Sequence, residues 1–191
     1  MNQSGRVGVG VAVLKPQLSL RIVTLCTGNV ARSVMLNYML NTLAESSGLG
    51  WRVRSAGTYV IEGSAMSSRT RDALLSIDEL GDHHYAGHRS HQLDEEDVEW
   101  ANVILGAEAD HVHFVRRYFA QHQSKAVSLG QFVRYAPLDI PFAEQIELVV
   151  AMEPDPSFDV SDPAGGDEGT YLACATQLWE LAQAFVTIVA N

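Results

Sequence analysis

The chain has 191 residues, 47% hydrophobic and 19% charged, which suits one soluble domain with a full core. Its formal net charge of −10 disfavours nucleic acid and anionic membranes as general partners. No apolar run approaches the roughly 20 residues that span a bilayer, and Val7–Leu14 leads into Lys15-Pro16 without a cleavage site, so no secretory signal is expected.

Residues 1–18 read as an N-terminal extension, because Gly5, Gly8, Gly10 and Pro16 break any helical period. A single domain is expected over 19–191. Leu20–Leu25 reads as a buried strand. Leu36, Met39, Leu40 and Leu43 then recur at helical spacing from near Val34, and Gly48 stops that helix. Trp51–Arg54 is a second strand leading into Ser55-Ala56-Gly57-Thr58. Ala73, Leu74 and Ile77 place a helix near Ser67–Ser76. Asp94-Glu95-Glu96-Asp97 is a charged helix start. Asn102–Leu105 is a third strand and Glu108–Phe119 a helix. Ala126–Leu129 is a short fourth strand. Pro137–Gly166 reads as a loop rich in proline and aspartate, with a weak apolar patch at Ile146–Val150. Leu172, Ala175, Leu178, Trp179, Ala182, Phe185 and Val189 share one face of a final helix. Strands alternating with helices imply an α/β fold, a mainly parallel sheet covered on both faces. Ligands of such sheets sit beyond the carboxyl ends of the strands.

Cys26-Thr27-Gly28-Asn29-Val30-Ala31-Arg32-Ser33 occupies one of those ends, between the first strand and the first helix. The backbone N–H groups from Thr27 to Arg32 can point inward at a tetrahedral anion. Gly28 suits a tight turn with close ligand approach, and Asn29 suits a left-handed position. Arg32 can grip two oxygens with its planar fork. A helix N-terminus and a guanidinium both favour the thiolate form of a cysteine, and Ser33 is placed to donate a hydrogen bond to it. The expected chemistry is in-line attack of the Cys26 sulfur on phosphorus, followed by hydrolysis of the cysteinyl-phosphate.

Expelling the leaving group needs a proton donor. Two Asp-Pro pairs compete, Asp155-Pro156 and Asp162-Pro163. Both also suit turn formation. Spacing favours Asp162 modestly, because it lies just before the final helix.

Ile22 to Ser33, Ser55-Ala56-Gly57-Thr58 and Asp162-Pro163-Ala164-Gly165-Gly166 together resemble the low-molecular-weight protein tyrosine phosphatase family over roughly residues 20–190. The resemblance implies a three-layer αβα fold with a four-stranded parallel sheet. It implies Cys26 as nucleophile, Arg32 as transition-state clamp and Asp162 as general acid and then base. Asn29, Ser33 and Ser55 match positions that brace the loop, and Tyr59 and Ile61 lie where one wall of the substrate groove is expected. No metal or other cofactor is implied. The chain departs from the family pattern at Ala31, where many members have a second cysteine. It also departs at Val34, where proline is frequent, and at Ala164 and Gly165, where aromatic residues commonly wall the groove.

Cys26 and Cys174 are the two cysteines. They fit a reducing cytoplasm, with Cys26 as the reactive thiol and Cys174 as packing in a helix. His83, His84, His88, His91, His111 and His113 have no metal-ligand pattern and read as solvated loop residues. The leading expectation is a phosphomonoester hydrolase acting on a phosphotyrosine protein or a small aryl phosphate. The alternatives are an arsenate reductase using Cys26 with an external small thiol, and a phosphate-binding module without catalysis.

Overall fold

The computed structural model describes residues 19–190 apart from residue 82, so the expected extension over 1–18 lies outside the described residues. Four strands form one sheet: β1 (Arg21–Cys26), β2 (Arg52–Gly57), β3 (Val103–Gly106) and β4 (Ala126–Ser128). Their order is β2-β1-β3-β4, and every pairing is parallel. Alternation along β1 divides the core. Ile22 and Cys26 face a large cluster with α1 (Arg32–Ser46), α5 (Leu129–Tyr135), α6 (Phe142–Val150) and α7 (Glu168–Ala190). Val23 and Leu25 face a smaller cluster with α3 (Glu95–Trp100) and α4 (Ala109–Tyr118). The result is the expected three-layer αβα arrangement, with one short helix, α2 (Ser68–Leu75), beside α7.

Local chemistry explains most boundaries. The Ser67 side chain caps α2 by accepting from the Thr70 N–H at 3.0 Å, and Asp94 caps α3 by accepting from the Asp97 N–H at 3.0 Å. Gly48 takes a φ of 66° just beyond α1, a conformation that glycine adopts without steric cost. β2 runs on through Ser55-Ala56-Gly57, past the expected end at Arg54, because its partner β1 continues to Cys26.

Two expectations are corrected, and one helix, α5, has no counterpart in the sequence reading. Pro137–Gly166 is not one loop: it contains α6, whose Gln145, Ile146 and Val149 are buried. The flanking prolines and aspartates mask a helix of nine residues. α5 follows β4 with no intervening loop, so its pattern merges with that of the strand. α7 is long and apolar enough to cross a membrane by length and composition, which the interspersed Thr, Gln and Glu conceal in the sequence. Its inner face, including Leu178, Ala182 and Phe185, is buried in the core where α7 packs on α1.

The carboxyl ends of β1, β2 and β3 converge. Cys26 pairs with Gly57, and Leu25 with Gly106. The Val160 N–H donates to Ala107 O at 2.9 Å and draws the segment after α6 to the same edge. That segment is seated against α5, where a Cβ at Gly130 would collide with the Phe158 carbonyl. Gly130→Ala is therefore expected to cost about 1–3 kcal/mol of stability, read as a lower urea midpoint. An unchanged midpoint would show that the segment shifts freely.

Candidate active site

The loop after β1 is tied down from several sides. Asn29 adopts a φ of 51°, and its side chain makes two contacts. Its Nδ2 donates to Ser33 Oγ at 2.9 Å, and its Oδ1 accepts the His91 N–H at 2.9 Å. Ser33 Oγ also lies 3.0 Å from Cys26 Sγ. With Asn29 donating into the hydroxyl oxygen, the hydroxyl proton is free to point at sulfur. His88 Nε2 donates to Asn29 O at 2.8 Å, and Thr70 Oγ1 donates to Val30 O at 2.8 Å. Burial holds the His88 imidazole below its ordinary pKa, in keeping with a neutral ring.

The turn after β2 grips the other flank. The Thr58 and Tyr59 N–H groups donate to Cys26 O and Thr27 O, each at 2.9 Å. A Cβ at Gly57 would meet Thr27 O at 2.6 Å and Val60 Cγ1 closer still. The glycine that this close approach requires is thus Gly57. At Gly28 a Cβ would make only an ordinary contact, 3.7 Å from Val30 Cγ2. Ser55 lies in β2 opposite Thr24, and its side chain makes no hydrogen bond to the loop. The bracing comes from Gly57, Thr58 and Tyr59.

Arg32, 1% exposed, stands at the centre of the site. Its Nη1 lies 2.6 Å from Glu108 Oε1 and donates to Val160 O at 3.0 Å. Its Nη2 donates to Asp162 Oδ2 at 2.8 Å and lies 3.5 Å from Thr27 Oγ1. Two carboxylates and a carbonyl compensate a charge that could not otherwise be buried. Asp162 remains half-exposed, and its Oδ1 accepts the Ala164 N–H at 3.0 Å. Asp155 is elsewhere, capping the turn at Ser157 with a 2.8 Å bond that holds its carboxyl below the usual range.

Neither Glu108 nor His111 is given a role at the site by the sequence. Glu108 precedes α4, and its N–H donates to His111 Nδ1 at 3.0 Å. That bond leaves the proton on Nε2, which lies 3.2 Å from Thr27 Oγ1 and 3.3 Å from Glu108 Oε2. Burial and the neighbouring Arg32 push His111 down to about 3, so the ring is neutral across the physiological range. A carboxylate just beyond the carboxyl end of β3 was the available signal for Glu108.

The expectation of solvated histidines holds for His84 and His113, which are exposed, and is corrected for the other four. His88 and His111 support the site, His83 Nε2 lies 3.0 Å from Thr42 Oγ1, and the His91 ring lies 2.9 Å from Asp97 Oδ2. Two groups of described residues, His91-Asp94-Asp97 and Glu95-Glu99-His122, bring possible metal-ligand atoms within 4.8 Å of one another. In the first, Arg54 also lies 3.6 Å from Asp97.

A cleft of about 320 Å³ opens beside the loop, lined by Thr27, Tyr59, Asp110, Phe114, Arg117 and Tyr118 among others. Tyr59 is thus on a wall beside the loop. Ile61 is 82% exposed and does not line the cleft. The neighbouring Tyr118 hydroxyl raises the Tyr59 phenol above its ordinary value.

Residues 21–191 match the model of the low molecular weight phosphotyrosine protein phosphatase family. Over 131 residues, the chain is 36% identical to a protein-arginine-phosphatase of Geobacillus stearothermophilus, covering 67% of this chain and 82% of that one. The fold superposes on a YwlE mutant from Bacillus subtilis with a TM-score of 0.73 at 25% identity, covering 90% of this chain and 99% of the other. It also superposes on a low molecular weight protein tyrosine phosphatase from Bacillus subtilis with a TM-score of 0.70 at 25% identity, covering 89% and 97%. With the sheet, the loop and this match over most of its length, the chain belongs to the low-molecular-weight phosphotyrosine protein phosphatase family.

Proposed function

We propose that this phosphatase hydrolyses phosphotyrosine in proteins and small aryl phosphates through a cysteinyl-phosphate. The observation that carries the reading is the convergence on one loop of Cys26, hydrogen-bonded to Ser33 at 3.0 Å, and Arg32, bonded to Asp162 at 2.8 Å. The N–H groups of residues 27–32 cradle the phosphate oxygens, and Arg32 adds its fork as charge spreads onto them. Cys26 sulfur attacks phosphorus in line. The P–O bond to the leaving group breaks as Asp162 supplies the proton to the departing oxygen. Asp162, now a carboxylate, takes a proton from water. That water attacks phosphorus, the S–P bond breaks, and the thiolate and inorganic phosphate are restored.

Arg32 cannot leave its place easily, because Glu108 and Val160 hold the Nη1 end while Nη2 faces the acid. Glu108 is itself held at both its backbone and its carboxylate by His111. We assign these two as positioning residues for the clamp.

Aromatic rings in the adjoining cleft support an aryl leaving group. A second reading, phosphoarginine, is favoured by the name of the Geobacillus stearothermophilus relative. The same acid would then protonate a departing nitrogen. Arsenate reduction by an internal thiol relay gains no support from Cys174, which is buried and pushed up to about 12, chiefly by desolvation. A binding module without catalysis is disfavoured by the presence of nucleophile, clamp and acid together. The two free thiols suit a reducing cytoplasm, which we propose as the compartment.

The test is turnover of matched phosphotyrosine and phosphoarginine peptides by the reduced chain. The tyrosine peptide is expected to be preferred by about tenfold or more in kcat/KM, an activation free-energy difference of about 1.4 kcal/mol. Cys26→Ser should show no turnover, and Asp162→Ala should lose roughly 10²-fold or more in kcat. The reverse ranking would assign arginine, and no turnover of either peptide would overturn hydrolysis.

The positioning assignment has its own check. His111→Leu is expected to lower kcat/KM about tenfold by removing the hydrogen bonds that fix Glu108. His111→Gln retains an N–H of similar reach and should recover most of the loss. Equal losses in both variants, with unchanged melting temperatures, would sink the assignment.

A further inference from the structure

Tyr59 and Tyr118 are 66% and 54% exposed, although each is a large ring. Both contact Phe114: Tyr59 meets it edge-on at 5.5 Å between centroids, and the Tyr118 ring lies 4.7 Å away, tilted. Phe114 is partly buried against the smaller core cluster and forms a firm base. Folding does not need the two outer rings, and a contiguous exposed aromatic patch marks an interaction surface. The cleft they line also includes Thr27, the residue after the nucleophile. Whatever enters it lies beside a bound phosphate.

Charge does not choose the occupant. Of the two acidic lining residues, Glu108 is taken up by Arg32 at 2.6 Å. Asp110 remains, and Arg117 offsets it. The Arg117 guanidinium already lies 5.4 Å from the centroid of the Tyr118 ring, which disfavours a second cation there. The rest of the lining is Thr27, Thr58, the His111 and His113 imidazoles and the rings of Tyr59, Phe114 and Tyr118. Aromatic pairs gain beyond their buried area when edges and faces meet.

We propose that the cleft between the turn after β2 and α4 is a second substrate subsite, which takes an aromatic side chain flanking the phosphorylated residue. This deepens the phosphotyrosine reading and rests on it. In an extended peptide each residue advances about 3.3 Å. A ring one or two positions from the phosphotyrosine therefore reaches the cleft while the phosphate sits over Cys26.

The experiment uses phosphotyrosine peptides identical except for Phe, Ala or Arg at the flanking positions. Their binding to the full-length Cys26→Ser chain is measured by fluorescence polarisation, and their turnover by the unmodified chain is measured beside it. The Phe peptide is expected to bind about three- to tenfold more tightly than the Ala peptide, the size of one aromatic pair. Adding Tyr59→Ser, or Phe114→Leu, which preserves packing, should bring that ratio close to one. Adding Ile61→Ala should leave the ratio as it was. Equal binding of Phe and Ala peptides, a preference for Arg, or a ratio that survives Tyr59→Ser would overturn the subsite. Failure of the phosphotyrosine reading looks different: the unmodified chain would turn over none of the peptides. The flanking-residue ratio is then read on a phosphoarginine series bound to the Cys26→Ser chain, with the same outcomes deciding for or against the cleft.

Discussion

A guanidinium buried to 1% exposure is the constraint around which this molecule is arranged. An uncompensated charge there would cost several kcal/mol. Three separate parts of the chain meet to compensate it. Glu108 comes from the start of α4, Val160 and Asp162 from the segment before α7, and Thr27 from the loop after β1. The parallel sheet makes this meeting feasible, because every strand delivers its carboxyl end to the same edge. Arg32 therefore links folding to the proposed chemistry: the contacts that permit its burial also fix its guanidinium beside the loop after β1.

The same economy of contacts appears around the nucleophile. Asn29 is held at its backbone by His88 and at its side chain by His91, and in turn it orients the Ser33 hydroxyl toward sulfur. None of these groups needs to touch substrate. Their effect is to fix donors and dipoles before the phosphate arrives, so that little reorganisation accompanies the reaction. Neutral, buried imidazoles suit this work. At His88 and His111, one defined tautomer gives a directional hydrogen bond without adding a charge beside Arg32.

The legible part of the sequence was the part in which cause and effect are close in the chain. Eight consecutive residues from Cys26 to Ser33 carry the loop, and the alternation of strands and helices carries the three layers. Ser67 and Asp94 announce helices because capping is local. The rest depended on partners distant in sequence. Gly57 looks like any other turn glycine until Thr27 O is seen against it. Likewise His111 looks like a surface histidine until Glu108 and Thr27 claim both its nitrogens. Ser55 carried a local signal whose tertiary role falls to its neighbours at 57–59. α6 was masked by flanking prolines that border the helix without interrupting it.

These two kinds of information divide along functional lines. The loop from Cys26 to Ser33 is contiguous and anchored to contiguous elements, and the fold around it does not separate the names: structures named for arginine and for tyrosine each superpose on this chain with a TM-score of 0.70. A residue-specific substrate must instead be read by what surrounds the cradle. On the Asp162 side the chain offers Ala164 and Gly165, which present almost no surface to a leaving group. On the α4 side it offers Tyr59, Phe114 and Tyr118. Asp162 is not among the residues that line this ring-bearing cleft. On the proposed reading, a substrate that gains from those rings reaches toward α4 while its leaving atom stays near Asp162. On that reading, an extended peptide, which places one side chain over the loop and another in the cleft, gains more from those rings than an ester carrying a single ring.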